Sequence, residues 1–281
     1  MLDSFGPPVH GLFVFLGTAI SIAMFAVAAR RQRVLGADTL ALLAGGLLCG
    51  ALGSKLAVVW RYLDSAHAHS LVGLLLGGGQ SVLGGLSGAY LGVVLAKRLI
   101  GYRAGTGDLF APAVALGIGI GRIGCLLTET PGVPTGTNWG VVVDRAQAAR
   151  TAGFPPEWIG VPLHPSFLYE IPFHLAMAAV LLVLRARGTL RGDLFKLYCL
   201  VYAPFRFLIE FVRGNPVVWL GLTRSQLFLV VAMPLLAVAF RRRRRQQQKH
   251  AALAAGGGAR DARTGAAEPL GATHARNAAA R

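Results

Sequence analysis

Seven apolar runs, most of them closed by a cluster of arginine or lysine, constrain this chain more than any other feature. They lie at about 10–29, 39–60, 82–96, 109–120, 165–185, 194–212 and 226–240. Most approach the roughly 20 residues that a helix needs to cross hydrocarbon. Only 14% of the 281 residues are charged, against about 25% in soluble domains, and mean hydropathy is +0.56. The expected fold is therefore an all-α membrane protein of about seven transmembrane helices.

The formal charge of +16 arises from 28 Lys+Arg against 12 Asp+Glu. Much of the excess sits in Arg30/Arg31/Arg33, Lys97/Arg98/Arg103, Arg185/Arg187/Arg191 and the run Arg241–Arg245. With seven spans all four clusters fall on one side, which the positive-inside rule makes cytoplasmic. The N-terminus would then face outward and the C-terminus the cytoplasm. A nucleic-acid role needs a basic face on a soluble module, and none is visible. Cys49, Cys125 and Cys199 lie in or beside apolar runs without C-x-x-C spacing, so neither metal nor redox pair is expected.

Between the runs, residues 129–163 form a polar, proline-rich interval, and Trp139-Gly-Val-Val-Val143 has strand character. This interval is expected to be a small ordered head outside the membrane. The piece Leu71–Leu76, after His67 and His69, is too short to span and is expected to lie in the interface or re-enter. Asp108 is expected to cap the fourth span, and Pro165 to open the fifth. From Gln246 onward Ala, Gly and Arg dominate without periodicity, so 1–245 is expected to be the membrane domain and 246–281 a disordered basic tail.

The fourth run ends in Gly117-Ile-Gly-Ile-Gly-Arg-Ile-Gly-Cys125, which bares the surroundings of Arg122. An arginine at such a place must be paired, wet or holding an anion. Tyr202, Arg206 and Glu210, spaced four residues apart, share one helix face that cannot point at lipid. That face is compatible either with a self-neutralising Arg206–Glu210 pair or with an anion site. His164-Pro-Ser-Phe-Leu-Tyr-Glu170 opens the fifth run, and His164 alone reads more readily as a packing or capping histidine than as a base. Arg122, Glu129, His164, Tyr169, Glu170, Tyr202, Arg206, Glu210 and Arg213 all fall at the outward ends of runs four to six. The grouping suits a lipid-accessible phosphate pocket near the outer leaflet.

Three ordered segments carry a resemblance. Gly121-Arg-Ile-Gly-Cys-Leu-Leu-Thr128 with Asn138-Trp-Gly-Val-Val142, His164-Pro-Ser-Phe-Leu-Tyr-Glu170, and Arg206-Phe-Leu-Ile-Glu-Phe-Val-Arg213 resemble the prolipoprotein diacylglyceryl transferase family. Gly78-Gly-Gln-Ser-Val-Leu-Gly-Gly-Leu86 is a weaker match. The resemblance implies a multi-pass enzyme of the bacterial inner (plasma) membrane. Such an enzyme moves the diacylglyceryl group of phosphatidylglycerol to the lipobox cysteine thiol of prolipoprotein signal peptides, with no cofactor and no metal. It implies catalytic roles for Arg206, Glu210, Tyr202 and His164, and substrate binding by Arg122, Glu129, Cys125, Tyr169 and His10.

The chain departs from the family pattern at several positions. Leu83 stands where many members have histidine, Cys125 where the arginine signature ends in asparagine, His10 where a tyrosine opens the first span, and Lys55 where the second span has an arginine. Leu83 and Cys125 favour a rival reading, a non-catalytic relative that binds anionic lipid or escorts lipoproteins. A small-solute transporter fits less well, because the two halves show no inverted repeat.

Overall fold

The structure is a computed structural model that describes residues 7–62, 80–149 and 154–265. Its long helices are α1 (Pro7–Arg31), α2 (Ala37–Tyr62), α3 (Val82–Ile100), α4 (Gly107–Thr128), α5 (Ser166–Ala186), α6 (Leu194–Ile209) and α7 (Arg224–Gly265). Among the described residues α1 to α5 and the Arg224–Lys249 part of α7 are long and apolar enough to cross a membrane. The sixth expected span, α6, has 16 residues and is prolonged by the 3-10 turn Glu210–Val212. The architecture is that of an all-α membrane protein. Leu48, Leu52 and Leu56 on α2 and Leu91, Leu95 and Leu99 on α3 are all more than half exposed, an apolar surface suited to lipid.

Among the described residues, those up to Pro234 form one compact unit and those from Leu235 onward a second. Within the first, the main packings pair α1 with α4, α2 with α3, and α4 with α5. Glycine permits the closest of these. A Cβ on Gly88 of α3 would collide with the Cys49 carbonyl of α2 and lie 3.1 Å from the Gly53 Cα. One on Gly124 of α4 would lie 2.9 Å from the Phe13 Cβ and 3.3 Å from the His10 Cα of α1. The two backbones therefore meet without side chains between them, as membrane helices do where small residues face one another. Deeper along the same pair, Phe25 stacks on Phe110 at 4.6 Å. A second apolar core joins α4, α5 and α6 through Ala111, Ala115, Leu181, Leu194 and Tyr198.

Between α4 and α5 the polar interval is ordered by two short antiparallel strands, β1 (Val141–Val142) and β2 (Pro162–Leu163). The Gly132 amide donates to the His164 carbonyl at 2.8 Å and the Val133 amide to the Val212 carbonyl at 3.0 Å, so the interval is tied to the outer ends of α5 and α6. After α6 the hairpin β3 (Val217–Trp219) and β4 (Leu222–Thr223) leads into α7.

Two local expectations are corrected. Asp108 does not cap its own helix, whose N-cap is Thr106; its carboxylate instead accepts from the Gly192 and Leu194 amides at 2.5 and 3.1 Å and caps the start of α6. A carboxylate satisfies the unpaired amides of whichever helix start faces it. Residues 246–265 are helical rather than irregular, because Gln, Lys and Ala are strong helix formers. The expectations for His67, His69 and Leu71–Leu76 fall outside the described residues, as do residues 266–281.

Candidate active site

A cavity of about 440 Å³ opens among α1, α2, α3, α4 and α6. Its polar side carries Arg122 and Cys125 of α4, Arg206 of α6, Arg213, Glu129 and His10. Val14, Val82, Leu83, Val114 and Ile118 form an apolar wall. Arg122 and Arg206 are 6% and 4% exposed, so both guanidinium groups have lost most of their water.

What compensates them is shared unevenly. Glu170, fully buried, bridges two arginines: its carboxylate lies 2.8 Å from Arg122 Nη2 and 2.7 Å from Arg213 Nη1. Arg206 pairs with Glu210, one helical turn on. Glu210 is itself fixed, because Asn215 Nδ2 and Thr223 Oγ1 each donate to it at 2.9 Å. The Phe167 ring lies against both guanidinium groups on the Glu170 side, 4.5 Å from Arg213 and 5.7 Å from Arg122. Three arginines therefore face two buried carboxylates. Burial and the nearby Arg206 and Arg122 push Arg213 below the usual guanidinium value, while Glu170 opposes them. Among the described residues the Nε of Arg122 has no hydrogen-bond partner, and the Tyr202 hydroxyl meets the Arg122 guanidinium. Glu129, at the more exposed edge of the cavity, is a third carboxylate near the three arginines, and the guanidinium groups that line the cavity are donors suited to an anion.

Of the residues singled out in the sequence, Arg122, Cys125, Glu129, His10 and Arg206 line the cavity. Tyr202 and Glu210 are buried beside and behind Arg206. His164 and Tyr169 stand apart from the lining: His164 Nδ1 meets the Tyr169 hydroxyl at 3.0 Å, and Trp139 packs edge-on against both rings. Arg206 is paired with Glu210 and also faces the cavity.

Two features escaped the sequence reading. The sequence groups Glu170 with the arginines at the outward ends of runs four to six but does not show that it clamps Arg122 to Arg213, because the three residues come from different segments. His10, Cys125 and Glu129 converge so that one nitrogen, one sulfur and one oxygen all lie within 4.8 Å of one another. Cysteine spacing could not signal this, since His10 and Cys125 sit on different helices.

The family described as prolipoprotein diacylglyceryl transferase matches residues 4–241. Curated relatives named phosphatidylglycerol–prolipoprotein diacylglyceryl transferase include one from Dehalococcoides mccartyi, 29% identical over 82% of this chain and 85% of its own length. Another, from Frankia alni, is 32% identical over 73% of this chain and 54% of its own length. A third, from Bordetella avium, is 34% identical over 61% and 62%. With the matched region holding the whole arginine cavity, the chain belongs to the prolipoprotein diacylglyceryl transferase family.

Proposed function

We propose that the chain transfers the diacylglyceryl group of phosphatidylglycerol to the lipobox cysteine thiol of prolipoproteins. The observation that carries this reading is the pairing of three arginines with only two buried carboxylates around one cavity that also has an apolar wall. That combination suits a lipid whose headgroup is a phosphate diester and whose tails are hydrocarbon. Arg122 and Arg206 grip the phosphate, Glu210 and Glu170 hold the arginines in place, and the Tyr202 hydroxyl, bonded to Arg122, helps to set that guanidinium. In the transfer, the thiolate sulfur of the incoming cysteine attacks the glycerol carbon of the diacylglyceryl group. The carbon–oxygen bond to phosphate breaks, a thioether forms, and glycerol 1-phosphate leaves.

Arginines aimed at the leaving phosphate stabilise the charge that develops on it in a site of low dielectric. The thiol proton needs an acceptor; His10 lines the cavity, and His164 is paired with the Tyr169 hydroxyl outside that lining. Cys125, Glu129 and Tyr169 would contact the substrates at the entrance and in the head.

The catalytic region in this reading is residues 1–245, with 129–163 as a head that receives the signal peptide. The protein would sit in a bacterial inner membrane with the N-terminus outside and the C-terminus in the cytoplasm. The purified chain in vesicles containing phosphatidylglycerol is expected to convert a lipobox peptide to its thioether-linked diacylglyceryl form, read by mass spectrometry. Lipid binding without conversion would instead mark a non-catalytic relative, a result that Leu83 in the cavity wall would help to explain.

A further inference from the structure

His10, Cys125 and Glu129 converge at the edge of the arginine cavity, and the geometry of their donor atoms points to a metal. We propose that these three residues form a site for a borderline-soft divalent cation, Zn²⁺ being the best fit, at the edge of the arginine cavity.

Donor type comes first. One imidazole, one thiol and one carboxylate are the ligands that zinc accepts, and three protein ligands with one open position is the arrangement of an accessible zinc site. Spacing agrees. His10 Nδ1 and Glu129 Oε1 are 3.7 Å apart, too far for a hydrogen bond. Two ligands about 2.1 Å from a shared tetrahedral ion would be separated by about 3.4 Å. The Nδ1 atom is buried and has no hydrogen-bond partner among the described residues, a cost that a metal bond removes.

The scaffold supports the same site. Cys125 lies on the last turn of α4, and Glu129 caps that helix four residues on, so the two share a face. His10 reaches them because Gly124 lets the α1 backbone approach α4 closely. All three line the cavity, so the fourth position of a bound ion faces into it.

Charge also balances. On binding, the cation takes the Cys125 sulfur as thiolate and one proton is released, so thiolate, carboxylate and M²⁺ sum to zero. Arg122 has its Nη1 3.8 Å from the sulfur and shares the Glu170 carboxylate with Arg213.

The test uses the purified full-length chain in detergent, stripped with chelator and titrated with Co²⁺, then back-titrated with Zn²⁺. One equivalent of Co²⁺ is expected to give ligand-field bands of tetrahedral intensity with a thiolate-to-cobalt charge-transfer band, both erased by Zn²⁺. Cys125→Ser should abolish the charge-transfer band. It should also weaken Zn²⁺ by more than the roughly 10- to 100-fold caused by loss of a supporting contact. The double change Cys49→Ser with Cys199→Ser should leave both unchanged. His10→Gln and Glu129→Gln should each weaken binding while keeping the sulfur band, and these variants decide the matter if Cys125→Ser does not fold. Absence of Co²⁺ binding, or binding with no sulfur band that survives all three single changes, overturns the site.

Discussion

At the scale of single residues, the site is a problem of uneven charge. Arg206 is bound to Glu210, and Glu210 is bound by Asn215 and Thr223, so the guanidinium is held at the cavity by a chain of three contacts. If that arrangement serves a phosphate, the planar fork matters and charge alone is insufficient. Arg206→Lys is then expected to lose transfer nearly as fully as Arg206→Ala, by about 10²- to 10³-fold, the usual effect of removing one oxyanion donor. Folded yield of the lysine variant should hold, because an ammonium still answers Glu210. Were Arg206 only a structural partner, lysine would restore most of the transfer. Replacing both Arg206 and Glu210 by leucine would then be tolerated, since a buried pair adds little over well-packed apolar groups. Retained transfer in the double-leucine variant sinks the phosphate assignment. Two positions where the sequence leaves the family pattern, His10 and Cys125, are also two of the three ligands proposed for the metal, so those departures have a chemistry of their own.

At the scale of helices, packing depends on backbones that touch. The α2–α3 pair closes on Gly88, where a side chain would strike the Cys49 carbonyl. Carbonyl and backbone atoms cannot swing aside, so Gly88→Val must separate the helices or bend one of them. Overpacking costs about 1–3 kcal/mol even where side chains can adjust, so this variant is expected to lower the folded yield and the thermal midpoint in detergent. Gly11→Ala is the matched control: a Cβ there meets nothing within 4 Å, and alanine favours helix over glycine by about 0.5–1 kcal/mol. Equal stability of the two variants would refute the close-contact account. The helices themselves were legible in the sequence, because hydrocarbon thickness sets their length and basic clusters mark their ends. The contacts between them were not, because one glycine among 37 looks like another until its neighbour is known. The same limit hid the Glu170 clamp and the Asp108 cap, in which a carboxylate serves a helix other than its own.

For the whole molecule, the remaining question is which way it sits in the bilayer. The α1 and α4 helices run antiparallel, since Gly124 meets His10 and Phe13 at one end while Phe110 stacks on Phe25 at the other. Arg30 and Arg31 close α1, Lys97 and Arg98 close α3, and Arg185 closes α5. With consecutive spans alternating in direction, these C-terminal ends share one side, and by sequence alternation Arg241–Arg245 join them. An excess of Lys and Arg within about 15–20 residues of span ends marks the cytoplasmic face. By that rule the head, the arginine cavity and the N-terminus are expected to face outward. The check is thiol labelling in intact cells with a membrane-impermeant maleimide, read against the native-cysteine background. Thr137→Cys in the head is exposed and should label from outside, whereas Arg187→Cys, also exposed, should label only after the cells are opened. The same pattern is expected for a chain ending at Gln248, because residues beyond it carry few apolar groups to bury. Labelling of Thr137→Cys only after opening would reverse the orientation and place the cavity on the wrong face for its proposed acceptor. A reversed pattern in the shortened chain alone would instead give the tail a part in setting the topology.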